Sequence, residues 1–188
     1  MLDNNLRFNS HVDFIAGKIS KSIGLIYRIR NFRPKSAIFS LYYALIFSYL
    51  KYCVLIWGGA SQVHLQKVFL LQKKIVRIMF NTDYFAHTDP LFHSGGVLKI
   101  SDIFRFSIGV YMFKHRNSFI QFGSHGYDTR NSSNLVPSFH RMNCTQRSLS
   151  FIGPTIWNNI PDNIRNLTSE PVFRKLLKKY LTFEYASR

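Results

Sequence analysis

The chain has 188 residues, and its 25 lysines and arginines outnumber nine aspartates and glutamates, giving a formal net charge of +16. A hydrophobic content of 46% excludes wholesale disorder, and the length is enough for one large or two small domains with a buried core. So large a charge repels itself, and a polyanionic partner is its simplest explanation: nucleic acid first, an anionic membrane surface second. The sequence has two cysteines and no disulfide framework, so we expect an intracellular location, nuclear or cytoplasmic.

The first predicted helix runs from about Ser10 to Ile29, with Ser10 as N-cap and Asp13 completing a capping box. Its apolar residues recur at helical spacing on one face: Val12, Ile15, Ile19, Ile23 and Ile26. Three cations gather on roughly the opposite face, near Phe14 and Leu25: Lys18, Lys21 and Arg28.

Residues 36–57 form a long apolar and aromatic run, which predicts one helix of the length that crosses a bilayer. Lys51 lies inside the run, however, and small residues recur every four positions, at Ser36, Ser40, Ala44 and Ser48. Such a stripe lets a neighbouring helix pack closely. The pattern favours a buried helix that ends with Gly58 or Gly59 in a left-handed cap, and a membrane span is the alternative.

A third predicted helix is capped by Ser61, ends near Phe80 and has the clearest amphipathic pattern in the chain. Four cations occupy its polar side: Lys67, Lys73, Lys74 and Arg77. No acidic residue occurs between Asp13 and Asp83, whereas a merely solvated face usually mixes both signs. The pattern therefore predicts a binding face for a polyanion.

The second half of the chain is also predicted to be helical, without strands or repeats. One helix is capped by Ser101, and a polar loop covers residues 117–150. Pro154 and Pro161 bracket a short helical turn anchored by Trp157, and a basic amphipathic helix follows. The expected fold class is mostly α.

Catalysis is not expected. Metal-dependent nucleotidyl chemistry needs clustered carboxylates, but the nine acidic residues are scattered and no two are adjacent. The sequence has no glycine-rich phosphate loop with a lysine and no nucleophile motif. His140 and Cys144 have the spacing of zinc ligands but lack a second ligand pair. We expect neither a metal nor a cofactor.

Several stretches occur in the order expected of one family, among them "LYYALIFSYLKYCVLIWGGA", "LQKVFLLQKKIVRIMFN", "SFIGPTIWNNIPDNI" and "FRKLLKKYL". Together they resemble the C-terminal part of reverse transcriptases from non-LTR (LINE-like) retrotransposons of the jockey kind, over essentially the whole chain. The resemblance implies a thumb-like helical bundle over residues 1–82, and a post-thumb helical segment over residues 83–188 with a flexible loop around 117–150. It also implies that seven cations contact the backbone of RNA, DNA or an RNA–DNA hybrid: Lys18, Lys21, Arg28, Lys67, Lys73, Lys74 and Arg77.

The sequence departs from that family in lacking the fingers, the palm with its "YxDD"-type carboxylates, and the apurinic-type endonuclease. The resemblance therefore implies a truncated, non-catalytic fragment that binds the template–primer backbone, with a palm domain as a further possible partner. Two alternatives stay open. One is a membrane-associated helical protein anchored by residues 36–57, and the other is a transposon remnant without function.

Overall fold

The computed structural model describes residues 8–119, 134–137 and 148–185. These residues are mostly helical and contain no strand, which confirms the predicted all-α class. In chain order the helices are α1 (Asn9–Ile29), α2 (Lys35–Tyr42), a π turn (Tyr43–Phe47), α3 (Ser48–Lys51), α4 (Val54–Trp57), α5 (Gln62–Phe80), α6 (Asp89–Ser94), α7 (Ile100–His115), a 3-10 turn (Arg116–Ser118), α8 (Leu149–Asn158), α9 (Asp162–Arg165) and α10 (Glu170–Phe183).

The chain divides into two compact units. The first consists of the described parts of residues 1–104 and 181–188, and the second of the described parts of residues 105–180. The boundary at residue 82 comes from the family resemblance and stays a prediction. Most of the loop predicted around 117–150 lies outside the described residues.

The first unit is built on α1, α5 and the α2–α3 segment between them. The predicted apolar face of α1 is confirmed, because all five of its members are buried: Val12, Ile15, Ile19, Ile23 and Ile26. Asp13 near the start of α1 bonds Lys67 in α5, and Tyr27 near the end of α1 lies close enough to Lys74, further along α5, to feel its charge. These two helices therefore run in the same direction. Phe39 of α2 lies 5.7 Å from Phe80 at the end of α5, measured between ring centroids. Tyr42 at the end of α2 is hydrogen-bonded to Gln72, which precedes Phe80 in α5, so α2 runs antiparallel to α5.

The predicted capping box of α1 is wrong. The helix begins at Asn9, after Phe8 in the left-handed region at φ 58°, and no side chain caps it. Ser10 lies inside the helix, and the Asp13 carboxylate accepts a hydrogen bond from the Lys67 ammonium group instead of capping the backbone. Ser61 does occupy the N-cap position of α5, but its hydroxyl pairs with the His64 ring instead of capping the backbone.

The single helix predicted over residues 36–57 is also wrong. It ends at Lys51, and Tyr52 is extended with ψ 119°. Cys53 then takes a left-handed conformation at φ 49° before the four-residue α4. Gly58 is right-handed at φ −65° and Gly59 has no positive φ either, so neither is the left-handed cap that the sequence predicted.

Burial of Trp57 accounts for this break. Its side chain is almost fully buried and its indole N–H donates to the carbonyl of Tyr52 at 2.7 Å, which satisfies a backbone group that the interrupted helix leaves unpaired. Gly58 is needed here for space: a Cβ atom at this position would lie 2.3 Å from the ring of Phe104.

The face that α2 and α3 bury is the opposite of the one predicted. The small residues Ser36, Ser40, Ala44 and Ser48 are exposed, and the buried stripe is Ile38, Tyr42, Ile46 and Leu50. Residues spaced by four drift about 40° per step around an α-helix, and the wider π turn absorbs this drift. Within the described parts of the chain, no helix has the combined length and apolarity that crossing a membrane requires.

A buried glutamine joins α5 to the start of α7. Gln72 is fully buried; its amide nitrogen donates to the Tyr42 hydroxyl at 3.3 Å and to the Leu98 carbonyl at 2.9 Å. Its amide oxygen accepts from the Ile100 N–H at 2.8 Å. These bonds satisfy a polar side chain that would otherwise be costly to bury.

A second buried polar cluster lies beside it in the same unit. The Tyr185 hydroxyl donates to Asp102 and accepts from the Lys99 backbone N–H at 3.1 Å. The Lys99 ammonium group lies 2.9 Å from Asp89. Burial, with a further contribution from the charge of Asp102, raises the pKa of Tyr185.

The N-cap predicted at Ser101 is wrong, because α7 already begins at Ile100.

In the second unit, Phe173 of α10 packs between two aromatic rings. Its ring centroid lies 4.4 Å from that of Phe113 and 5.9 Å from that of Trp157, which is buried as predicted. Pro154 lies inside α8 rather than at the edge of a short turn, so the helix is longer than the sequence suggested.

Candidate nucleic-acid interface

Three of the predicted site residues share one exposed face of α1, opposite its buried isoleucines. Lys18, Lys21 and Arg28 are exposed, and Phe14 and Leu25 lie among them with about half of each side chain exposed (52% and 51%). The successive spacings of four, three, four and three residues place all five on one line along the helix. We call this line the α1 outer stripe.

The charge of the α1 outer stripe is not compensated by nearby acids. Asp13 is the sole acidic residue between positions 8 and 82, and it is bonded to Lys67. Across the described ranges, no carboxylate lies within ion-pair distance of the stripe's three cations. The Lys18 ammonium group lies 5.4 Å from the centroid of the Phe14 ring, so an aromatic face and a cation are presented together.

Lys67 lies beside α1 but is engaged. Its ammonium group is 2.8 Å from the Asp13 carboxylate, and each side chain is about half exposed. The hydrogen bond from Lys67, more than its charge alone, lowers the pKa of Asp13. A phosphate approaching Lys67 competes with Asp13, so this cation is a weaker anion contact than those of the α1 outer stripe.

Lys74 faces the end of α1, near an aromatic residue that the sequence analysis did not select. The Arg30 guanidinium lies 3.7 Å from the centroid of the Tyr27 ring, and Tyr27 is about half exposed. The hydrogen bond and charge of Arg30, with a smaller contribution from Lys74, lower the pKa of Tyr27. The sequence does contain a signal for this contact, because residues three apart at the end of a helix are neighbours on its surface.

Lys73 and Arg77 point elsewhere. Lys73 is half-buried, with its ammonium group 4.7 Å from the centroid of the Phe69 ring. Arg77 is also half-buried, and its Nε donates to the Ala86 carbonyl at 2.9 Å. This hydrogen bond links α5 to the segment that follows it. Since Lys67 and Lys73 are six residues apart, they lie about 120° apart around α5. The structure thus divides the four cations of α5 between different surroundings, and the role of each as a backbone contact stays a prediction.

The chemistry available on this surface is contact with anions. Lysine and arginine neutralise phosphates and release counterions, and exposed aromatic rings stack on bases or sugars. In the described ranges no group of three histidine, cysteine, aspartate or glutamate side chains is placed to hold a metal ion. His140 and Cys144 lie outside those ranges.

No protein-family model matches the sequence, and neither a curated protein nor a solved structure matches it.

Proposed function

We propose that this chain is a non-catalytic nucleic-acid-binding protein, derived from the C-terminal part of a non-LTR retrotransposon reverse transcriptase. Its partners are RNA, DNA or an RNA–DNA hybrid, held by the sugar–phosphate backbone without reading of base sequence. The α1 outer stripe is the observation that carries this proposal. Lys67 and Lys74 on the neighbouring helix extend the contact.

Charge and exposure together support a backbone contact. The three stripe cations are exposed and unpaired by any described carboxylate, so little electrostatic energy is lost when a phosphate approaches. Phe14 and Leu25 add apolar surface between them, which suits the sugars of a backbone or an unpaired base.

The test is binding to a labelled RNA–DNA primer–template, followed by fluorescence anisotropy over a salt series. Each phosphate contact contributes about −0.9 to the slope of log affinity against log salt on a B-form duplex. A triple glutamine variant at Lys18, Lys21 and Arg28 should therefore flatten the slope by about 2 to 3 and weaken binding at low salt.

A matched control carries the same loss of charge at three exposed lysines outside the stripe: Lys35, Lys51 and Lys175. It should keep most of the slope, since its cations are scattered over other helices. Equal weakening by both triple variants would mean that net charge alone attracts the nucleic acid, and the proposed interface would be wrong.

A further inference from the structure

A cavity of about 300 Å³ opens in the first unit on another side of α5 from Lys67. Its wall is formed by one face of α5 together with the starts of α6 and α7. The polar side chains lining it include Gln62, Gln66 and Lys73 from α5 and Ser101 from α7. Its volume is at the lower end of the range for small-molecule sites, so it suits a compact ligand.

The cavity carries one uncompensated positive charge. Lys99 and Asp89 both line it, but their charged groups are 2.9 Å apart and mostly buried, so they neutralise each other. Lys73 has no ion-pair partner within the described parts of the chain. Its ammonium group lies over the ring of Phe69, which holds the charge at the wall without neutralising it.

The neutral lining groups can donate hydrogen bonds towards the same space. Gln62 and Gln66 each bring an amide NH₂, and Ser101 brings a hydroxyl in the first turn of α7, where the helix dipole also favours negative charge. One ammonium group with several neutral donors is a combination that binds an oxyanion. The Phe69 ring is already engaged by the Lys73 ammonium group and by stacking with Phe92, at 6.3 Å between centroids, which favours an oxyanion over a nucleobase as the ligand.

We propose that this cavity binds a phosphate group, presented either as free phosphate or as the terminal phosphate monoester of a nucleic-acid strand. The site is separate from the α1 outer stripe and does not depend on the function proposed for that stripe. Lys73 supplies the charge, and Gln66 and Ser101 supply neutral hydrogen bonds. The Lys99–Asp89 pair forms a neutral part of the wall.

Inorganic phosphate tests the site directly. Titrated into the full ¹⁵N-labelled chain, it should produce saturable shifts of the side-chain amide signals of Gln62 and Gln66. Lys73→Gln should weaken the affinity roughly tenfold, because a charge-assisted hydrogen bond is lost. Lys175→Gln removes the same charge from an exposed position on α10 and should leave the affinity unchanged.

Gln66→Leu provides a second variant that keeps the net charge. It should weaken phosphate binding several-fold, since it removes a neutral donor and leaves Lys73 in place. Shifts that do not saturate, or an equal effect of Lys73→Gln and Lys175→Gln, would overturn the proposal, because phosphate would then respond only to the overall charge.

Oligonucleotides of one sequence, with a terminal phosphate or a terminal hydroxyl, distinguish the two sources. If the chain prefers the phosphorylated strand and Lys73→Gln abolishes that preference, the cavity binds the terminal phosphate of a strand. Equal binding of both strands, together with saturable binding of inorganic phosphate, assigns it to the free anion. Because inorganic phosphate is measured by itself, a failure of nucleic-acid binding at α1 leaves this test intact.

Discussion

Gln72→Leu removes three hydrogen bonds from the middle of the first unit while nearly preserving the side-chain volume. Two buried backbone groups lose a partner, the Leu98 carbonyl and the Ile100 N–H. An unsatisfied buried group costs about 1–3 kcal/mol, and the apolar replacement recovers part of the total. We expect a net loss of about 3 kcal/mol in the free energy of unfolding, a large part of the stability of an ordinary domain.

Urea unfolding followed by circular dichroism measures this loss. With a denaturant slope of about 2 kcal/mol per molar, the midpoint should fall by roughly 1.5 M. Gln66→Leu makes the same substitution at an exposed position on the same helix, and its midpoint should move by less than about 0.3 M. If the two variants were equally stable, the bonds of Gln72 would be worth little and our account of the link between α5 and α7 would be refuted.

Alkaline pH should destabilise the fold through Tyr185. Its folded-state pKa is raised by burial and by Asp102, so above about pH 10 the unfolded chain releases a proton that the folded chain retains. The contribution of Tyr185 to stability is intact below that pH and should then fall by about 1.4 kcal/mol per pH unit. Burial also raises the pKa of Tyr42, so Tyr185→Phe should make the loss of stability less steep, without abolishing it, in urea titrations between pH 9 and 11. Gly58→Ala should lower the melting temperature, since the new methyl group would meet the ring of Phe104, at a cost of about 1–3 kcal/mol. Gly24→Ala, in open space within α1, should raise it slightly, and a rise for both variants would contradict the packing described for Gly58.

The buried face of α1 was predictable because apolar residues at helical spacing must be buried together, whatever they pack against. The break at Cys53 was not, since nothing in the local sequence marks a non-glycine residue for the left-handed region. It follows from the burial of Trp57, which depends on tertiary packing. The same limit applies to Gln72, whose partners lie 26 to 30 residues away along the chain.

The candidate site was predictable in part for the same reason. The position of Lys18 and its neighbours on the outer face of α1 could be predicted, since helical periodicity alone determines it. The surroundings of Lys67 and Lys73 depend instead on the register of α5 against α1 and α7. Lys67 forms an ion pair with Asp13, whereas Lys73 lines the cavity. Nothing in the local sequence distinguishes these two lysines.

The π turn at Tyr43–Phe47 means that this core helix carries one residue more than its buried face requires. Removing Ala44, which is exposed, would change the buried spacing from four, four and four residues to four, three and four, a pattern that a plain α-helix meets without distortion. A gene that lost this one codon would therefore still encode the same core. The length of this segment is therefore less constrained at the π turn than the identity of its buried residues is.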